Sequence, residues 1–439
     1  MPAQPIPTSP TAQPTAPPRA IGLAGAVLIN LNAVIGAGIF ALPALLYAGV
    51  GGIAPLVVLV FGLLVAPPML VLGKLSTAFE ESGGFQLYVE RAFGPLAGFL
   101  AGWALLGQNL AARAANFLVL TAYLAALFPL FDQPVIRAIT VAALIGCFTT
   151  LSLVGARRSI GGLSVGTVFK LAPILLVSGL GLAVNGPPST VQLPVFSDFE
   201  AIALLLAYAY SGGGLVTVAA GEVRDARTTV YRSILLNLGL IALFYAFVVW
   251  AYIAIDPPAA NAVRPLASAG EAVLGQWGVI AISVAAIFST GTNQLSYFVS
   301  MPRVLFGMAQ RGLLPAWLAR VSPRFLTPIA AILTYGTLVM VLALSGTFAT
   351  LATFMVALEG LVLIAMVLAL PMLWRSGLFA MSGARAIAWG AIIAVALAFQ
   401  LWLQLQVPAS AVVPTIAVKL VGCGVYLVAR RKPAPGTVT

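Results

Sequence analysis

The sequence predicts an all-α, polytopic membrane protein. Its twelve transmembrane helices would form a five-plus-five inverted repeat with broken first and sixth helices, followed by two appended helices. Three observations carry this. Hydrophobic residues make up 61% of the 439 positions and charged residues 8%, against about a quarter charged in soluble domains, and the mean hydropathy is +1.07. Apolar stretches of spanning length, about 20 residues each, recur along the whole chain between turn and charge signals. The first and sixth of these stretches carry glycine-rich interruptions.

The first apolar stretch runs from about Ile21 to about Gly49 and contains Asn-Leu-Asn-Ala-Val-Ile-Gly-Ala-Gly-Ile-Phe-Ala-Leu-Pro at 30–43. Glycine costs about 1 kcal/mol in a helix interior and proline about 3. A continuous helix is therefore not expected across Ile35, Gly36, Ala37, Gly38 and Ile39. In lipid such a break leaves N–H and C=O groups unpaired, which is tolerated only where they line a cavity or meet a ligand. The sixth stretch, about Phe199 to about Glu222, breaks at Ser211, Gly212, Gly213 and Gly214. A single glycine run also serves close helix packing. Interruptions in corresponding positions of two halves point to a transporter binding site.

The other stretches fall at about 54–76, 95–128, 134–155, 162–184, 231–255, 273–300, 329–345, 348–371, 385–405 and 410–429. They are separated by signals such as Glu80-Glu81-Ser82-Gly83-Gly84, Arg157-Arg158, Asp256-Pro257-Pro258 and Trp374-Arg375-Ser376-Gly377. With the breaks in stretches one and six, each repeat holds five spans, and an odd number inverts the second copy. The expected organisation is a ten-helix transport core at 19–371, two appended helices at 372–429 and a C-terminal tail at 430–439. Residues 1–18, rich in Pro, Thr, Gln and Ala, read as a disordered tail without the charged start and short apolar core of a signal peptide.

The net charge of +11 does not signal nucleic acid. The basic residues gather in loops on one side, and only Arg137 and Arg264 fall on the other. This positive-inside asymmetry predicts cytoplasmic termini in a cytoplasmic (inner) membrane. The chain has no histidine and two cysteines. Cys147 and Cys423 stand in separate stretches, so neither a disulfide framework nor a metal or haem motif is expected, and no cofactor is implied. A membrane enzyme would need paired acids at membrane depth, and a channel a repeated filter or rings of charge. Neither is present, so the chain is read as no enzyme. A transporter-like sensor remains an alternative.

Intramembrane charges are few, and each costs about 2.5–3.5 kcal/mol at a helix centre. Asn109, Arg113 and Asn116 make one polar stripe at i, i+4 and i+7. Glu359 is the carboxylate at mid-membrane. Arg113 is read as pairing with Glu359 in a gate, or with an acid on the substrate. Glu222 is either a latch with Arg224 or Arg303 or a solvated loop charge. Lys419 reads as a snorkelling lysine.

Four motifs carry a family resemblance. Gly36-Ala37-Gly38-Ile39-Phe40 with Pro43 resembles the first-helix motif of the amino acid–polyamine–organocation (APC) transporters. Residues 83–95, Gly-Gly-Phe-Gln-Leu-Tyr-Val-Glu-Arg-Ala-Phe-Gly-Pro, resemble a family loop, with Phe85 and Gln86 departing from it. Residues 219–232 resemble the Gly-Glu stretch after helix six, without its prolines. Residues 303–328, Arg-Val-Leu-Phe-Gly-Met-Ala-Gln-Arg-Gly-Leu-Leu-Pro through Leu-Thr-Pro, match a third loop closely.

The resemblance covers about residues 20–430 and implies a LeuT-like amino acid permease working by alternating access. Substrate carboxylate and amine would meet the unwound backbone of helices one and six, where a half-helix N-terminus attracts an anion. Lys170, in Lys-Leu-Ala-Pro, matches a lysine that sodium-independent members carry. It would brace the carbonyls at the first break or cycle a proton. Arg113 and Tyr297 align with cavity-lining positions, Asn293 lies one turn before Tyr297 on the same face, and Tyr208 and Tyr210 are candidate lids. Gly212, Gly213 and Gly214 would leave room where some relatives place larger or acidic side chains, either for a bulkier apolar substrate or filled partly by Arg113. If Glu359 neutralises Arg113, neutral amino acids are the expected substrates. The implied function is secondary active, sodium-independent amino acid transport, proton-coupled or by exchange, among membrane lipids. An exporter or a polyamine/amine antiporter is the alternative, and oligomeric state stays open.

Overall fold

The first long apolar stretch folds as two helices, α1 (Leu23–Val34) and α2 (Gly38–Val50). The computed structural model describes residues 19–79, 83–154, 160–187, 196–255, 264–322 and 327–430. The two tails beyond these bounds, Glu80 to Ser82, Arg157-Arg158 and Asp256-Pro257-Pro258 lie outside the described residues. Pro43 sits inside α2, so the glycines alone mark the break. A 3₁₀ turn at Gly51–Ile53, entered through Gly51 at φ +62°, bends the chain into α3 (Ala54–Ser76).

The remaining helices are α4 (Gly84–Phe93), α5 (Pro95–Leu127), α6 (Pro134–Val154), α7 (Ile160–Asn185), α8 (Phe196–Tyr210), α9 (Ala226–Ile255), α10 (Pro265–Leu274), α11 (Gln276–Gln310), α12 (Ile329–Ser345), α13 (Phe348–Arg375), α14 (Gly383–Leu405) and α15 (Ala409–Arg430). The second break follows α8, and the chain resumes as a 3₁₀ helix, Leu215–Glu222. Among the described residues the protein is all-helical apart from one two-residue bridge, Ile21 with Val223.

Ten helical stretches are long and apolar enough to cross a membrane, by length and composition. The expected twelve reduce to ten because the first break leaves α1 with 12 residues, α2 runs on through the bend into α3, and α12 has 17. Residues 83–95, read as a loop, form α4, and α10 stands in the connection before α11. Neither spans, yet both pack on the bundle, α4 on α5 and α13, α10 on α11, α2 and α7.

α5 is the most enclosed of the ten long stretches, packed against α13, α11, α4, α12 and α15. Its polar stripe therefore faces protein, the arrangement in which charged groups at membrane depth persist. α1 is tied to the second break at two levels. Ile21 N–H donates to Glu222 C=O at 3.0 Å and Arg224 N–H to Ile21 C=O at 2.8 Å. Farther along, Val216 N–H donates to Asn30 Oδ1 at 3.0 Å. No ion pair joins Glu222 to Arg224 or Arg303. Arg224 donates to the Arg19 carbonyl and Arg303 to that of Val299, and Glu222 is exposed, so of its two readings the solvated loop charge fits and the latch does not.

Candidate substrate site

A helix C-terminus leaves carbonyls without intrahelical partners. At the end of α1, side chains from three other helices meet them. Asn293 Nδ2 (α11) donates to Asn32 O at 3.0 Å, and Lys170 Nζ (α7) to Ile35 O at 2.9 Å. The Tyr245 hydroxyl (α9) lies 3.3 Å from Val34 O and 3.2 Å from Ala209 O, touching the end of α1 and the end of α8 together. A cation at a helix C-terminus also suits the helix dipole. Lys170 is fully buried there.

α2 starts without a side-chain cap. The Gly36 N–H donates to Val34 O at 2.8 Å and Phe40 N–H to Ala37 O at 3.1 Å. The N–H groups of Ala37, Gly38 and Ile39 donate to no described group, which leaves donors and a positive dipole end unspent. At Gly38 a Cβ would meet Ala209 Cα at 3.5 Å, ordinary contact, so α2 begins against the end of α8.

The three glycines of the second break differ in what they do. Gly212 has φ +96°, and a Cβ there would lie 3.0 Å from Ala33 O. It is needed both for the left-handed conformation and for the approach of the two breaks. A Cβ at Gly214 would lie 2.6 Å from Phe85 Cζ and 2.7 Å from Leu72 Cδ2, whereas at Gly213 nothing comes nearer than 3.8 Å. All three line the larger cavity, and Gly212 the smaller one too, but only Gly213 has room for a Cβ: Ala33 approaches Gly212, and Phe85 and Leu72 approach Gly214.

The α5 stripe binds three neighbours. Asn109 Oδ1 accepts from the Tyr335 hydroxyl at 2.5 Å, and Asn116 Oδ1 from the Tyr208 hydroxyl at 2.7 Å. Arg113 Nη1 donates to Asn293 Oδ1 and, at 3.3 Å, to Gln294 Oε1. The guanidinium carbon sits 3.9 Å from the centre of the Tyr297 ring. Glu359 Oε1 accepts from the Ser211 hydroxyl at 2.9 Å. The expected Arg113–Glu359 pair does not form, because α11 claims the cation and the second break claims the carboxylate.

Two cavities meet at this point. The smaller, about 60 Å³, is lined by Gly36, Ala37, Gly38, Arg113, Asn116 and Tyr208. The larger, about 280 Å³, is lined by Phe85, Gln86, Tyr210, Gly213, Glu359 and Gln400. Asn109, Ser211, Gly212 and Tyr297 border both. Tyr208 and Tyr210, two positions apart, thus serve different cavities. Ile35, Ile39, Asn293 and Lys170 border neither and stand one layer behind. Sequence reasoning missed Tyr245, Gln294 and the α14 residues Phe399, Gln400 and Leu403, which wall the larger cavity although α14 was expected outside the core. Asn293-Gln294 beside Thr290 on one face of an apolar helix was a readable signal for Gln294.

Comparison with known proteins agrees with this geometry. The family model described as amino acid permease matches residues 21–421. An uncharacterized transporter of Mycobacterium tuberculosis is 31% identical over 339 residues, covering 74% of this chain and 73% of that protein. The human Asc-type amino acid transporter 1 is 30% identical over 360 residues, covering 76% and 68%. The serine/threonine exchanger SteT of Bacillus subtilis is 28% identical over 333 residues, covering 72% and 74%. With two facing helix breaks on a bundle of membrane-spanning helices, the chain belongs to the amino acid permeases of the APC superfamily, multi-pass membrane transporters of amino acids.

Proposed function

We propose that this permease moves amino acids by alternating access, without sodium, in a LeuT-like bundle of twelve spans. α1/α2, α3, α5, α6 and α7 would form one repeat and α8 to α13 its inverted partner, with α14 and α15 appended. The observation that carries this reading is the small cavity between the two breaks. The free N–H groups of Ala37, Gly38 and Ile39 suit a substrate carboxylate. Carbonyls at the ends of α1 and α8 suit its ammonium group. Lys170, holding Ile35 O, fills the place behind the break and makes a bound cation redundant.

The larger cavity lies beside α4 and the Arg303 end of α11. The positive-inside pattern assigns that side to the cytoplasm, so the described conformation is read as inward-facing, with both termini inside a cytoplasmic membrane. The likeness to a protein named as a serine/threonine exchanger favours exchange over net uptake. The test is uptake of a labelled amino acid panel into proteoliposomes without sodium. Uptake that requires internal amino acid identifies an exchanger. Uptake driven by an inward proton gradient alone identifies a symporter, with Lys170 as the group whose protonation cycles. Failure with every amino acid, alongside uptake of amines, turns the assignment to a polyamine or amine carrier.

A further inference from the structure

We propose that the site is built for an amino acid bearing a second carboxylate, received by Arg113. This rests on the reading above and deepens it to a substrate class.

Arg113 is 6% exposed, and every group it touches is neutral: the amide oxygens of Asn293 and Gln294 and the ring of Tyr297. No carboxylate lies within 4.0 Å of it among the described residues. Nη1 is committed to α11, Nε is enclosed without a partner, and Nη2 donates to no described group. The small cavity is lined by this side chain. A guanidinium with one face on an aromatic ring and a free edge is the arrangement that takes a planar carboxylate.

Charge balance points the same way. Arg113 is the charged side chain that lines the smaller cavity, and Glu359 the one that lines the larger. Lys170 sits on the end of α1, and Glu359 is held by Ser211 in the wall of the larger cavity. A zwitterion adds no net charge, so a neutral amino acid leaves the buried positive charge of Arg113 uncompensated in the smaller cavity. A second carboxylate neutralises it, and buried charges persist only when compensated.

The spacing fits as well. Asn116 faces Gly36, with its Nδ2 3.7 Å from where a Cβ would stand. Arg113 is three residues back along α5, about 4.5 Å in rise. Arg113, Asn116 and the first break line the same small cavity, so one substrate can meet the break and the guanidinium together. Asn109 and Ser211, shared with the larger cavity, give the chain between them room.

The experiment compares labelled glutamate and aspartate with glutamine and serine in proteoliposomes, for the native protein, Arg113→Gln and Arg113→Lys, in chloride and in gluconate. Native protein is expected to prefer the dicarboxylic substrates in both media. Arg113→Gln is expected to lower the glutamate-to-glutamine ratio of Vmax/KM by at least about tenfold. Arg113→Lys keeps the charge and loses the planar fork, so its ratio falls in between. Should Arg113→Gln yield no folded protein, the fall in Arg113→Lys decides. Native protein that carries neutral amino acids and refuses dicarboxylic ones overturns the inference while leaving the transport reading intact. So does a native preference that Arg113→Gln leaves unmoved. Loss of transport in gluconate, with dicarboxylic substrates refused, assigns the anion at Arg113 to chloride and overturns it too. Native protein that carries no amino acid at all overturns both readings.

Discussion

Lys170 and Ile35 stand 135 positions apart in the chain and are joined by a 2.9 Å hydrogen bond from ammonium to carbonyl. The bond places a buried lysine on the end of α1, where the Ile35 carbonyl would otherwise be buried without a partner.

Replacing Lys170 by alanine removes a charge-assisted bond of about 1.5–3 kcal/mol. Transport in proteoliposomes is expected to fall by about tenfold or more, with expression and membrane insertion retained. Normal uptake by Lys170→Ala would show that the first break holds its shape without the brace.

Tyr245→Phe deletes only the hydroxyl shared between Val34 O and Ala209 O. The ring still packs beside Tyr210 and Phe244. A loss of about 1 kcal/mol in stability, read as a lower melting temperature in detergent, should accompany a larger proportional loss of transport, because the hydroxyl ties the two breaks rather than filling the core.

The glycines of the second break should respond unequally to alanine. Gly214→Ala must displace Phe85 or Leu72, an overpacking cost of about 1–3 kcal/mol. Gly212→Ala meets Ala33 and an unfavourable φ. Gly213→Ala has room and should melt within about 0.5 kcal/mol of the native protein. A thermal-stability series on the three variants checks the order.

Double-mutant cycles separate partners from neighbours. Ser211→Ala and Glu359→Gln share a hydrogen bond and should be non-additive in transport. Arg113→Gln and Glu359→Gln, which share none, should be additive to within about 0.5 kcal/mol. Strong coupling in the second cycle would mean the pair forms in another conformation of the transport cycle.

Because α14 walls the larger cavity, Phe399→Ala should act on transport although it lies outside the expected core. Removing a ring that packs on Phe61 and Trp402 enlarges the cavity. KM for bulky amino acids should shift by severalfold more than KM for small ones in a competition assay. Equal shifts would assign Phe399 a packing role alone.

Much of this fold is legible in the sequence because lipid leaves few options: apolar runs of spanning length become helices, and glycine clusters mark where they stop. The short segment at 329–345 appears with those bounds, and both breaks fall where the glycines place them. Partner choice is less legible. Arg113 and Glu359 look like a natural pair along the chain, yet which of several polar groups lies nearest depends on helix rotation, and α11 brings Asn293 and Gln294 to Arg113 first. The role of α14 is hidden for a related reason. Gln400 and Gln404, at i and i+4, mark the side of α14 that faces protein, but nothing along the chain says which helix or cavity that side meets. α4 and α10 escape because they are short and amphipathic rather than membrane-long.

The strand-like stitch between Ile21 and Val223, with Asn30 meeting Val216 farther up, has a mechanical consequence. The first half-helix and the segment after the second break are fastened at base and middle, so neither can swing alone. In the proposed alternating-access cycle the two would move as one rocker arm, opening this end of the protein in a single stroke. A change that loosens the stitch would let the two halves fall out of step, and the protein would leak rather than stall.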